Sequence, residues 1–127
     1  MNHANHSLGD VSLNIQCDHC GKNFSYPLAA ETFVCPHCAQ SMTRIQAIES
    51  FLRTAMSATF SYDRKLIRGS SRLNEIGDSM GTIELLMRLE TDFGISIDHD
   101  DIEELENVAA VSHYIHRKVS QKLKAAV

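Results

Sequence analysis

The four cysteines of this 127-residue chain fall in two pairs, Cys17-Asp18-His19-Cys20 and Cys35-Pro36-His37-Cys38, with fourteen residues between them. A two-residue gap lets both sulfurs of a pair face one ion, and four thiolates can close a tetrahedral Zn2+ shell. The flanking residues suit short strands. Leu13 and Ile15 alternate towards the first pair, Phe24 and Tyr26 alternate after it, and Thr32-Phe33-Val34 lead into the second. A ribbon this small cannot hold a hydrophobic core of its own, so metal binding would supply its folding free energy. Gly21 directly follows Cys20, where a positive φ turns backbone N–H groups towards thiolates.

Residues 13 to 40 resemble zinc ribbons, a spacing also found in rubredoxin-like iron sites. The expected ligands are Cys17, Cys20, Cys35 and Cys38, which makes the site structural, since a closed four-sulfur shell leaves no position for substrate. His19 and His37 fall outside that ligand set. Two disulfides are disfavoured because nothing marks the chain as secreted, and no βαβ pattern supports a redox pair. Residues 1–43 carry Lys22 as their one full positive charge against Asp10, Asp18 and Glu31, which leaves no stripe to track phosphates. No nucleic-acid partner is expected. Docking a protein, or simply stabilising the chain, suits the ribbon better.

No apolar run approaches the roughly 18 residues a membrane span needs, and the polar start lacks a signal-peptide core. The expectation is a cytoplasmic monomer without membrane insertion. The net charge of −4 hides an asymmetry: residues 44–78 carry six basic against four acidic side chains, and residues 79–107 carry nine acidic side chains against Arg88. The acidic segment should repel nucleic acid and attract basic protein surfaces.

After the cysteines the periodicity turns helical. Thr43-Arg44-Ile45-Gln46 fits a capping box, and Ile45, Ile48, Leu52, Ala55, Met56 and Phe60 repeat at spacings of three and four behind it. Residues 61–78 read as a long connection with Leu66, Ile67, Leu73 and Ile76 as anchors. From Ser79 a second helix runs to Gly94, with Thr82, Leu85, Leu86, Leu89 and Phe93 in one sector. Met80, Ile83 and Met87 fall in a second sector, roughly 140° away, which a two-layer packing cannot fully bury. Residues 98–105 make at most a short third helix. Asn107 is placed to cap a last one, whose face reads Val108, Val111, Ile115, Val119 and Leu123. The fold class is mainly α: a four-helix bundle behind a small β ribbon. The domain division is a flexible tail over 1–10, the zinc ribbon over 11–42 and the bundle over 43–127.

Ser79 is a hydroxyl at a helix start, a position where serine ordinarily serves as N-cap. Its surroundings say more. Gly77-Asp78-Ser79-Met80, then Glu84-Leu85, Leu89-Glu90, Phe93-Gly94-Ile95 and Ile97, resemble the acyl and peptidyl carrier protein superfamily. Asp-Ser-Met-Gly-Thr in particular is similar to D-alanine carrier proteins, while the usual fatty-acid carrier pattern has one more residue between glycine and aspartate and leucine after the serine. The resemblance implies an acyl-carrier-like four-helix bundle that performs no turnover. It implies a covalent 4'-phosphopantetheine arm on Ser79, with Asp78 helping to hold the donor, and an acyl or aminoacyl cargo carried as a thioester. It implies a phosphopantetheinyl transferase, an acyl- or aminoacyl-loading ligase and a downstream acyltransferase or synthase as partners. Met80, Ile83, Glu84, Met87 and Glu90 are the candidate partner-binding residues. The other reading of the chain is a non-enzymatic adaptor with a degenerate carrier fold, whose ribbon docks protein or nucleic acid. An intrinsic enzyme is disfavoured, because no base-oriented nucleophile pair or open metal site is visible.

Overall fold

The computed structural model describes residues 11–125; the expected tail over 1–10 lies outside the described residues. Two small antiparallel hairpins come first. β1 (Ser12–Gln16) pairs with β2 (Asn23–Pro27), and β3 (Thr32–Val34) pairs with β4 (Ser41–Thr43). Leu13 and Ile15 of β1 face Tyr26 and Phe24 of β2 across the ladder, so the period-2 alternation puts four apolar side chains on one buried face.

That face does not stand alone. It packs on α1 (Arg44–Phe60), and a single buried cluster runs from Leu13, Ile15 and Tyr26 through Ile48 and Leu52 to the helical core. The ribbon thus shares its core with the helices, and α1 supplies the other half. Polar contacts reinforce the join. Arg44 is only 8% exposed, and its guanidinium donates to the carbonyls of Leu28 (2.8 Å) and Ala29 (3.0 Å) and to Ser120 Oγ (3.3 Å). A cation at a helix N-terminus opposes the helix dipole. The two carbonyls that follow β2 accept from it here, so the charge is tied down where a surface arginine would be free.

The capping box forms as expected, with Gln46 N–H donating to Thr43 Oγ1 and Thr43 N–H donating to Gln46 Oε1. Beyond α1 the connection is more ordered than its composition suggests. It holds a 3-10 turn at Arg64–Leu66 and a four-residue helix, α2 (Leu73–Ile76). Ile67 and Leu73 are buried as anchors, but Leu66 is exposed and does not act as one. α3 (Ser79–Phe93) follows and stops at Gly94, whose φ of +62° is the left-handed stop glycine allows. The expected third helix is a 3-10 segment, His99–Glu104, pinned to the last helix by Tyr114, whose hydroxyl donates to Asp101 Oδ2 (2.8 Å). Asn107 caps α4 (Val108–Ala125) by accepting from Ala110 N–H at 2.8 Å. The described chain is thus mainly helical, with the β hairpins and all four cysteines at its N-terminal end.

Candidate functional site: the Ser79 turn and the cysteine cluster

Asp78, not Ser79, is the N-cap of α3. Its Oδ1 accepts from Gly81 N–H at 2.7 Å, which satisfies one of the free donors of the first turn. Ser79 is therefore the first helical residue. Its hydroxyl is exposed and has no hydrogen-bond partner among the described residues. The division of labour suits reaction: the aspartate does the capping and leaves the serine oxygen free.

The turn owes its shape to a contact that sequence reasoning missed. The ring of Phe60, at the end of α1, lies on the backbone of Gly77 and Gly81. A Cβ on Gly77 would come within 2.2 Å of the ring, and one on Gly81 within 2.7 Å. Two glycines flanking Asp78-Ser79-Met80 were the available signal; the aromatic residue they admit is seventeen positions upstream of Gly77. Beside Ser79 lies an open groove of about 430 Å³, whose apolar lining includes Leu73, Ile83, Leu86, Ile102 and Leu105.

The two sectors of α3 separate, except that Thr82, read as part of the core face, is only half-buried. Leu85, Leu86, Leu89 and Phe93 are buried, with Phe93 edge-on to Phe51 at 5.4 Å between ring centroids. Met80, Ile83 and Met87 remain 73%, 56% and 61% exposed, so the 3-10 segment does not cover them. Glu84 is exposed on the same helix, whereas Glu90 is half-buried and turned inward, its Oε2 accepting from Ile97 N–H at 2.8 Å.

In the ribbon the four cysteine sulfurs lie within 4.8 Å of one another. Cys17 and Cys38 Sγ are 3.7 Å apart, and Cys20 and Cys35 Sγ 3.8 Å. Those separations are far beyond the ~2.05 Å of a disulfide. They match the edge of about 3.8 Å that a tetrahedron with Zn–S bonds near 2.3 Å requires, so the donor set fits zinc. The two knuckles repeat each other. Gly21 N–H donates to Cys17 O and Ala39 N–H to Cys35 O, both at 2.8 Å, and both residues have positive φ, +80° and +65°. Burial raises the Cys35 thiol, but the backbone N–H groups of His37 and Cys38 and the neighbouring sulfurs outweigh it and bring it down to about 7. Cys38 is pushed up to about 12: the Gln40 N–H favours its thiolate, and burial together with the sulfurs around it works the other way and prevails. His37 is exposed, its Nε2 in hydrogen-bond contact with Asn23 O at 3.1 Å, and His19 is exposed as well; neither joins the cluster.

The family model described as the phosphopantetheine attachment site matches residues 69–115, a span that contains Ser79, the groove and the exposed stripe. Acyl carrier protein 2 of Pseudomonas aeruginosa is 35% identical over 74 residues, covering 57% of this chain and 94% of that protein. This chain belongs to the acyl carrier protein family. The other relatives agree. Acyl carrier protein 1, chloroplastic, of Casuarina glauca is 27% identical over 120 residues, 91% of this chain and 81% of that protein. The acyl carrier protein of Thermotoga maritima is 26% identical over 80 residues, 61% of this chain and 99% of that protein. As an acyl carrier protein it is a non-enzymatic carrier whose prosthetic group is phosphopantetheine. No helix among the described residues is long and apolar enough to cross a membrane.

Proposed function

We propose that Ser79 is the attachment point of the phosphopantetheine arm, and that the chain carries an acyl or aminoacyl group on it between partner enzymes. The observation that carries this reading is the free, exposed Ser79 hydroxyl at the first turn of α3, inside the span matched by the attachment-site family. In the attachment step a transferase removes the Ser79 proton. The oxygen then forms a bond to the pantetheine-bearing phosphorus of coenzyme A, the pyrophosphate linkage breaks, and adenosine 3',5'-bisphosphate leaves. Asp78 holds the turn by its bond to Gly81 N–H and is placed to help orient the donor or its metal. The product phosphodiester stands at a helix N-terminus, where the dipole favours an anion. Bound there, the arm supplies a thiol for thioester formation.

Cargo transfer needs partners: a phosphopantetheinyl transferase, a loading ligase and a downstream acyltransferase or synthase. Met80, Ile83 and Met87 offer adaptable apolar contact, and Glu84 and the acidic run around it favour basic partner surfaces. Glu90 contributes charge more than contact, because its carboxylate is engaged with Ile97. The groove beside Ser79 suits the apolar part of an acyl chain.

The division into a ribbon over 11–42 and a carrier bundle over 43–127 belongs to the same reading, with zinc held by Cys17, Cys20, Cys35 and Cys38. The ion stabilises the ribbon and takes no part in transfer. The ribbon adds a surface that a dedicated partner engages together with α3. Peptide mapping of protein purified from its host tests the attachment: the peptide containing Ser79 should carry the arm. A native protein bearing phosphopantetheine on another residue, or none at all, overturns it.

A further inference from the structure

We propose that Asp18, inside the first cysteine pair, is a positioning residue for the attachment turn, acting through Arg53 and Arg64. The inference rests on Ser79 being the attachment point. The Asp18 carboxylate accepts from Arg64 Nη1 at 3.1 Å and is ion-paired with Arg53. Arg64 also donates from Nε to Thr54 Oγ1 (2.8 Å) and from Nη2 to the Ser50 carbonyl (3.1 Å) and hydroxyl (2.8 Å). Ser50 is fully buried, and its own hydroxyl donates to Gln16 O at 2.7 Å. One guanidinium thus gathers the first knuckle, the middle of α1 and the segment that follows α1. Arg53 Nε is buried with no partner among the described residues, so Asp18 is the acceptor that compensates that side chain.

The route from here to Ser79 is short. Arg53 lies two turns before Phe60, roughly 10 Å along the helix axis, and Arg64 lies four residues after it. The Phe60 ring in turn bears on Gly77 and Gly81, on either side of Ser79. Residues 69–73 are held separately by α4 and its approach: Ala109 N–H donates to Gly69 O, Val108 N–H to Ser71 O, and Leu73 N–H to Glu106 O. The coupling therefore passes through the end of α1 and bypasses the middle of the connection. That route predicts a pattern which general destabilisation would not produce.

The test compares full-length wild type with Asp18→Asn and Asp18→Glu, following transferase kinetics, metal content and amide hydrogen exchange. Asp18 lies outside the four-sulfur donor set, so metal content should match wild type in both variants. Asp18→Asn should raise the transferase's KM for the carrier about threefold, with kcat changed by less than about twofold. Exchange should quicken at residues 60–67 and 77–81 and stay at the wild-type rate over 69–73, and Asp18→Glu should recover both readouts. Unchanged KM and exchange overturn the proposal. So does a raised KM with wild-type exchange, which would mean that the transferase touches Asp18 directly, or exchange that quickens everywhere. If wild type itself never gains the arm at Ser79, the attachment reading fails instead, and the exchange pattern still decides the coupling.

Discussion

The ribbon and the attachment turn both rest on α1, and they are held by opposite means. The ribbon lies along the first two thirds of the helix with its apolar face buried, its carbonyls bonded to Arg44 and its first knuckle clamped by Arg53 and Arg64. The turn meets the end of α1 through the Phe60 ring on two glycines, and Asp78, Ser79 and Met80 between those glycines are exposed. One region spends its side chains on being fixed. The other keeps a hydroxyl and three large apolar side chains exposed, at the cost of packing that would otherwise stabilise α3.

Metal removal should break the comparison most severely. On the zinc reading, chelation under reducing conditions, or Cys17→Ser, would leave thiols crowded where four sulfurs could hold one ion, and loosen the hairpins that complete the α1 core. The loss of stability should be about 3 kcal/mol or more, read as a fall in the thermal midpoint. A midpoint that ignores chelation would show that the ribbon stands without metal. Gly77→Ala attacks the turn instead, forcing a Cβ against the Phe60 ring at a cost of about 1–3 kcal/mol. Shrinking the ring in a Gly77→Ala, Phe60→Ala double variant should return part of that loss, and strictly additive effects would show that the contact does not matter. Asp78→Ala, which removes the α3 cap, should cost about 1 kcal/mol and slow attachment of the arm. Least damaging to the fold is Met87→Lys: it should change stability by less than about 0.5 kcal/mol, since the side chain is already exposed, and still weaken loading by a partner enzyme. Wild-type loading of that variant would remove Met87 from the partner surface.

How much of this was legible in the sequence depends on how local each feature is. The capping box at Thr43 and Gln46, the stop at Gly94, the Asn107 cap and the buried sector of α3 are set by residues within a turn or two of each other, and they form as read apart from Thr82, which is half-buried. The cysteine spacing encodes its own geometry for the same reason. What escaped was long-range. β4 exists because Met42 pairs with Phe33, and nothing in Ser41-Met42-Thr43 alone announces a strand. A charge count over residues 44–78 does not show where Arg44, Arg53 and Arg64 go: the first is buried on carbonyls and the other two share Asp18. The excess of basic residues over 44–78 is therefore largely spent inside the fold. A serine at a helix start ordinarily caps it, and aspartate ranks as its near equal there; here the preceding aspartate takes the position and leaves the serine exposed.

The central claim is that the Ser79 oxygen becomes the tether. Its most direct test is intact mass before and after incubation with coenzyme A, magnesium and a broad-specificity phosphopantetheinyl transferase. The account predicts that wild type gains the mass of one arm while Ser79→Ala, equally folded and equally metal-loaded, gains none. A wild-type protein left unmodified by several such transferases, or a Ser79→Ala variant that acquires the arm, would contradict it.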